Sequence, residues 1–360
     1  MSTLRVGVVG VGSLGFHHAR ILSSLSDADL VGIHDIDPAR LADVGDRLDA
    51  RTFRELDELA RLVDAAVVAV PTSGHEAVAC ALLRRGVHVL IEKPIAPSLD
   101  AADRILEAAA ASGATVQIGH VERFNGALRA AEQYLEEPLF VECHRLAPFA
   151  PRGTDVAVVL DLMIHDLDLV LSLMKRPVTA MAAVGVGVLT PTPDIANARL
   201  EFEGGGVANL TASRVSLERT RKIRFFQRSG YLSLDLANGR GEFLRLRPGA
   251  QLAQAVAGIG GGVGAPSPAA AGSAGVPGDS GGHPAAGALA GLAGLAELVE
   301  RIPLESDGAE PLRCELESFV AAALGHAPVA VTGEEGRRAL AVALEIIGRI
   351  ERNVEAASTP

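Results

Sequence analysis

Leu4-Arg5-Val6-Gly7-Val8-Val9-Gly10-Val11-Gly12-Ser13-Leu14-Gly15 begins as a short β-branched apolar run and breaks into glycines spaced G-x-G-x-x-G. A run that is apolar at consecutive positions suits a strand covered on both faces. The helical pattern that follows, Phe16 to Leu25, places the glycines at a strand-to-helix turn. There Gly10 permits the tight turn, Gly12 lets backbone approach a pyrophosphate, and Gly15 allows close helix–strand packing. Ser13 and Leu14 complete the turn, and the helix N-terminus supplies a field for an anion. A chain with 39 glycines also produces such spacings by accident, so an ordinary strand–turn–helix junction is the alternative. The strand before and the helix after favour a dinucleotide.

The pattern recurs along the next hundred residues. Leu30–His34, Ala65–Val70, Val87–Ile91 and Thr115–Ile118 read as further buried strands separated by helices. This predicts an α/β fold: an N-terminal doubly wound (Rossmann) parallel sheet. Asp35 ends the second strand, 20 residues after Gly15. A carboxylate there accepts from the adenosine ribose and repels a 2′-phosphate, so NAD is expected ahead of NADP. Asp37 reads as the cap of a helix opened by Pro38. Arg40 is the first arginine after Asp35 and reads as a solvated helical residue.

Beyond residue 121 the pattern changes to a helix over Val156–Met174 and strands at 178–188, 196–202, 207–213, 222–226 and 231–236. These predict a C-terminal α+β domain with a mainly antiparallel open sheet. The expected division is a cofactor domain over 1–121 and a substrate and oligomerisation domain over 122–360. Of the 46 residues at 251–296, 27 are Ala or Gly and Asp279 alone is charged, which reads as a flexible insertion. Helices are expected at Leu312–Leu324 and at 334–352, the second capped by Thr332 and packed back on the first domain.

The 360 residues carry 33 Lys and Arg against 44 Asp and Glu, a formal charge of −11, with no Trp and 3% aromatics. That balance argues against a nucleic-acid partner. Three scattered cysteines, Cys80, Cys143 and Cys314, suggest neither a disulfide framework nor a metal site. No apolar stretch is long enough to span a bilayer, so no membrane partner is expected. A cytoplasmic enzyme is the expectation.

Gly-Val-His-Val-Leu-Ile-Glu-Lys-Pro at 86–94, Val70-Pro71-Thr72-Ser73, Asp161-x-x-x-His165, 311–315 and Thr332-Gly333-Glu334-Glu335-Gly336 together resemble the Gfo/Idh/MocA oxidoreductases. The resemblance covers nearly the whole chain outside 251–296. Lys93 follows a strand end, where doubly wound sheets bind ligands; from the residues alone it is either a catalytic ammonium or a surface lysine paired with Glu92. Asp161 and His165 stand at i and i+4 on one helical face, and pairing with each other would favour imidazolium. They are either a catalytic or a structural pair. The resemblance implies that Lys93 is catalytic, that His165 is the general base, that Asp161 orients either the substrate or His165, and that Pro71, Thr72, Glu92 and Pro94 shape the cofactor pocket. Met163 stands where many members have Gly and is expected to narrow the pocket.

Asp161–Asp168 and Asn209–Arg214 look most like a narrower subgroup that oxidises the 3-hydroxyl of UDP-N-acetylglucosamine. The substrate implied is a sugar nucleotide, with oxidation of a UDP-hexosaminuronic acid or of a free sugar or cyclitol as alternatives. A non-catalytic NAD-sensing regulator is the reading from another class; Lys93, Asp161 and His165 together count against it. Arg123, Arg152 and Arg214 are candidate diphosphate contacts, and His120 a candidate lining residue. Alternation in 207–211 and 231–235 predicts a homodimer or homotetramer through the second sheet.

Overall fold

The computed structural model describes residues 3–150, 156–247 and 298–358. Arg152, the 153–155 lead-in to the His165 helix and the 251–296 insertion lie outside the described residues. Six strands, β1 (Leu4–Val9), β2 (Ala28–His34), β3 (Thr52–Phe53), β4 (Ala65–Val68), β5 (His88–Glu92) and β6 (Val116–Gly119), form a parallel sheet ordered β3-β2-β1-β4-β5-β6. Order reverses between β1 and β4, so a crevice opens at the carboxyl ends of these strands. The β1, β4 and β5 side chains are almost wholly buried, as their continuous apolar runs require.

One face of this sheet packs on α1 (Ser13–Leu22) and α2 (Pro38–Leu48), the other on α3 (Leu56–Ala60), α4 (His75–Leu83) and α5 (Leu99–Ser112). Asp37 caps α2 by accepting from the N–H groups of Ala39 and Arg40. The chain then leaves this sheet, runs through α6 (Gly126–Ala131), and enters a second sheet at β7 (Phe140–Leu146).

The second sheet adds β8 (Val178–Val186), β9 (Ile195–Phe202), β10 (Val207–Ser213), β11 (Thr220–Gln227), β12 (Gly230–Asp235), β13 (Arg240–Leu246) and β14 (Val299–Glu305), ordered β14-β13-β12-β11-β7-β10-β9-β8. Every neighbouring pair is antiparallel except β7 with β10. Strands β7, β13 and β14 are not legible in the sequence. β7 directs Val141, Cys143 and Arg145 inward, and a buried arginine breaks its apolar alternation. β14 carries Pro303, tolerated because the strand is an edge.

Helix α7 (Ile164–Met174), α6 and the last helix cover one face of this sheet. Ala208, Leu210, Leu232 and Leu234 point into that core. The alternation at 207–211 and 231–235 therefore reports packing on the chain's own helices, not an apolar face kept for a second copy. The open face instead presents Asn209, Thr211, Ser233 and Arg224 around a Phe140–Phe226–Tyr231 aromatic cluster.

The final helices tie both sheets together. From α8 (Pro311–Ala323), Leu316, Phe319 and Val320 join the core beside α1. From α9 (Gly333–Ser358), Leu340 packs with β5 and β6, while Ala339, Ala343, Ile346 and Ile350 pack with the second sheet. Thr332 caps α9 in a reciprocal box: its hydroxyl accepts from Glu335 N–H, and its own N–H donates to Glu335 Oε2. No helix of the described residues is long and apolar enough to cross a membrane.

Candidate active site

The glycine turn is shaped as the sequence requires. Gly10 has φ +87°, a left-handed conformation that side chains rarely adopt. A Cβ on Gly15 would run into the Gly10 carbonyl oxygen, so the start of α1 lies directly against the end of β1. Gly12 caps that helix without a side chain, leaving first-turn N–H groups free of a side-chain acceptor. Ser13 and Leu14 are exposed beside it. Asp35 stands opposite: its carboxylate accepts from Val11 N–H at 2.8 Å and Asp37 N–H at 2.9 Å. Both bonds fix its orientation and leave lone pairs for a ribose hydroxyl. Pro71 and Thr72 begin the short turn after β4, completing the rim. A cradle a Cβ would fill, a bare helix N-terminus and a fixed carboxylate fit a dinucleotide.

Strand β5 delivers Glu92 and Lys93 to the same crevice. Glu92 is buried; its Oε1 lies 2.7 Å from His18 Nε2 and its Oε2 3.2 Å from Lys93 N. Burial pushes the Glu92 carboxyl up, but the His18 hydrogen bond and the Lys93 charge outweigh it and hold it below the usual range. The Lys93–Pro94 bond is cis, and the Pro94 carbonyl faces His75 Nδ1 at 3.0 Å. The Lys93 side chain is 14% exposed, and Nζ donates to the Asp161 carbonyl at 2.7 Å, with Asp161 Oδ1 at 3.7 Å. Burial lowers the Lys93 pKa from its usual value, against the pull of Asp161 and Glu92.

The expected helix over Val156–Met174 begins with a π turn at Val159–Met163. Asp161 pairs with Lys93 rather than with His165. Nor is His165 drawn toward imidazolium: burial, then the positive charges of Lys93, Arg145, His120 and Arg221, press its pKa well below the usual histidine value. The imidazole is neutral at physiological pH, the form that accepts a proton. Its Nδ1 is buried and has no partner among the described residues. Met163 is fully buried in the second-sheet core, so its bulk does not narrow the pocket.

Two candidate diphosphate contacts are already committed. Arg123 forms a fork to Asp168 at 2.6 and 2.9 Å and reaches Glu335 at 3.1 Å. Arg214, buried, donates to Asp194, the Val156 carbonyl and the hydroxyls of Thr190 and Thr192. Their N–H groups fasten the scaffold, Arg214 pinning the segment that leads into the π turn. His120 is buried beside the site with both ring nitrogens unpartnered among the described residues.

Sequence reasoning misses the ion network beneath His165. Arg145 donates to Asp166 through Nε (3.0 Å) and Nη2 (2.7 Å), and to Glu122 through Nη1 (2.8 Å). Asn125 Nδ2 holds the other Glu122 oxygen at 3.0 Å. All four are buried. The available signal was two carboxylates, Asp166 and Asp168, inside a largely apolar helix, each of which demands a partner.

Glu315 on α8 was also missed. It is fully buried, both carboxylate oxygens lack a partner among the described residues, and Gln117 Nε2 donates to its backbone carbonyl at 3.3 Å. Burial drives its carboxyl well above the usual range, and Glu92 and Asp168 push the same way. The protonated form stabilises the fold fully below the ordinary carboxyl pKa. That contribution drains as pH climbs toward the raised folded value. Glu315→Gln, which keeps the shape without the proton cost, is therefore expected to melt above wild type by a margin that widens from about pH 5 to pH 8. A margin independent of pH in thermal melts counts against a neutral Glu315.

A glycine-turn Rossmann sheet whose crevice holds a lysine and a neutral histidine is the frame of a nucleotide-dependent dehydrogenase. Residues 4–120 match the oxidoreductase family with NAD-binding Rossmann fold, and residues 117–233 the GFO/IDH/MocA C-terminal domain. The chain is 35% identical over 356 residues to UDP-N-acetylglucosamine 3-dehydrogenase of Acidithiobacillus ferrooxidans, covering 98% of each chain. A solved structure of that enzyme superposes with a TM-score of 0.81 at 32% identity, covering 98% of this chain and 99% of that one. Inositol 2-dehydrogenase 4 of Saccharopolyspora erythraea is 34% identical over 191 residues, 50% of this chain and 56% of its own. Scyllo-inositol dehydrogenase of Lactobacillus casei, solved with NAD(H) and scyllo-inositol, shares the fold at a TM-score of 0.71 and 20% identity, covering 98% of each. The chain belongs to the Gfo/Idh/MocA oxidoreductases, NAD-binding dehydrogenases that act on CH–OH groups.

Proposed function

We propose that the protein oxidises the 3-hydroxyl of UDP-N-acetylglucosamine to the 3-keto sugar with NAD. The observation that carries this reading is the end-to-end sequence match to a UDP-N-acetylglucosamine 3-dehydrogenase at 35% identity, against sequence matches to inositol dehydrogenases that span about half the chain. Gly10, Gly12, Ser13, Leu14, Gly15, Asp35, Pro71, Thr72, Glu92 and Pro94 would hold the dinucleotide. NAD, when bound, supplies the hydride acceptor. His165, neutral and half-buried, takes the hydroxyl proton. Lys93, steered by Asp161, hydrogen-bonds the same oxygen and lowers the cost of its deprotonation. Residues 1–121 serve the cofactor and 122–360 the substrate, in the cytoplasm. Incubating pure protein with NAD and a panel of UDP-sugars, and following reduced nicotinamide by absorbance, tests the assignment. No turnover of UDP-N-acetylglucosamine would overturn it.

Asp35 sets the cofactor preference in this reading. Its anion repels a 2′-phosphate, while the Arg40 guanidinium reaches the glycine turn, Nη1 lying 3.4 Å from where a Gly12 Cβ would be. Asp35→Ser should weaken NAD about tenfold, the worth of one charge-assisted hydrogen bond, and admit NADP. Equal NAD and NADP affinity in the wild type would sink this role.

The open face of the second sheet, with Val184, Val186 and Leu246 exposed at its margins and Phe226 within, is assigned to a second copy in a homodimer or homotetramer. A monomeric mass by light scattering at micromolar concentration contradicts that assignment.

A further inference from the structure

Three long cationic side chains act on the His165 imidazole: Lys93, Arg145 and Arg221. Lys93 spends its ammonium on Asp161. Arg145 is buried between Asp166 and Glu122, with Nε, Nη1 and Nη2 all donating. Arg221 is different. It lies directly across from Arg145 in the β7–β11 ladder, so both side chains leave the face that packs on α7. The Arg221 side chain is 44% exposed, and its ion pair is 3.5 Å to Glu122 Oε1, an oxygen Arg145 already holds at 2.8 Å. An exposed, shared contact of that length contributes little. Most of the five N–H donors of Arg221 are therefore unspent, on a half-exposed side chain that shares Glu122 with Arg145, the arginine that holds Asp166 next to His165 in the chain. With Arg123 and Arg214 fully engaged in the scaffold, Arg221 is the described arginine near His165 whose fork is open to a ligand.

We propose that Arg221 is the cation that grips the diphosphate of the sugar-nucleotide substrate, fixing the sugar ring against His165. The inference rests on the sugar-nucleotide reading above. A guanidinium fork matches two phosphate oxygens at once, and a diphosphate would displace the long contact to Glu122 without unpairing that carboxylate, which keeps Arg145 and Asn125.

The test uses the full chain with NAD and UDP-N-acetylglucosamine. Arg221→Gln should raise KM about ten- to hundredfold with kcat within about threefold and an unchanged melting temperature. Arg221→Lys, a point charge without the fork, should recover part of the loss. Calorimetric titration of UDP into the NAD-loaded protein reads the site without turnover and should weaken by a similar factor in Arg221→Gln. Wild-type turnover with an unchanged KM in Arg221→Gln overturns the inference and leaves the reaction standing. A fall in kcat at constant KM also overturns it, because Arg221 would then act through Glu122 and His165. If the wild type binds UDP in an Arg221-dependent way yet oxidises no UDP-sugar, the anion site stands and the reaction falls.

Discussion

His165→Asn is expected to bind NAD as the wild type does and to turn over about a hundredfold more slowly or worse, the usual worth of a positioned general base. Lys93→Met should fall comparably, and the double variant should lose far less than the product, because both groups act on one oxygen. The pH profile separates this from a structural role. Burial and surrounding positive charge hold the His165 pKa well below the ordinary histidine value. The acid limb of the oxidation rate therefore lies below about pH 6.5, and the rate is level through neutrality. Lys93 titrates below the usual lysine value, so a second limb should appear on the alkaline side, with both apparent values belonging to the coupled set. If His165 were only a packing residue, activity in His165→Asn would follow the folded fraction. Single-turnover hydride transfer and a melting curve on the same sample decide. A folded, NAD-binding variant with near-normal turnover means the base is another group.

Arg145→Met should be the most destabilising single change near the site. It removes the partner of two buried carboxylates, Asp166 and Glu122, and leaving buried charge uncompensated costs about 3–5 kcal/mol. Replacing Asp166 by Leu in the same chain should recover part of that, since removing both members of a buried pair is often close to neutral. The substitution also removes one of the cations that lower the His165 pKa, so any activity left should show its acid limb at higher pH. A loss under about 1 kcal/mol in denaturant titrations would mean that solvent reaches these carboxylates, contrary to their burial.

These two predictions sit on opposite sides of what the chain discloses. The residue types at His165 and Lys93 were visible because their neighbours are local: a strand end, an apolar helix, a glycine turn. Their pairing was not. The i, i+4 spacing of Asp161 and His165 suggested a mutual pair, and a spacing within one helix does not show the lysine that the first sheet delivers beside it. Asp161 thus went to Lys93, 68 residues away. Arg145 was hidden because an arginine facing a core reads as a break in a strand until its carboxylates are known.

The sequence by itself determined the cofactor half: Gly10 to Gly15, Asp35 and the β-strands that carry them depend on backbone conformation and on burial on both faces, properties written in consecutive residues. How charge is distributed over the second half of the chain was settled by tertiary contacts. Arg123, Arg145, Arg214 and Arg221 are equivalent as letters. Their roles diverge because Asp168, Asp166 with Glu122, and Asp194 are brought to the first three, while the fourth, half-exposed, has only a 3.5 Å share of Glu122. A guanidinium takes whichever carboxylate the fold buries next to it, since an unpaired buried charge is too costly to keep. No spacing within the chain records that choice.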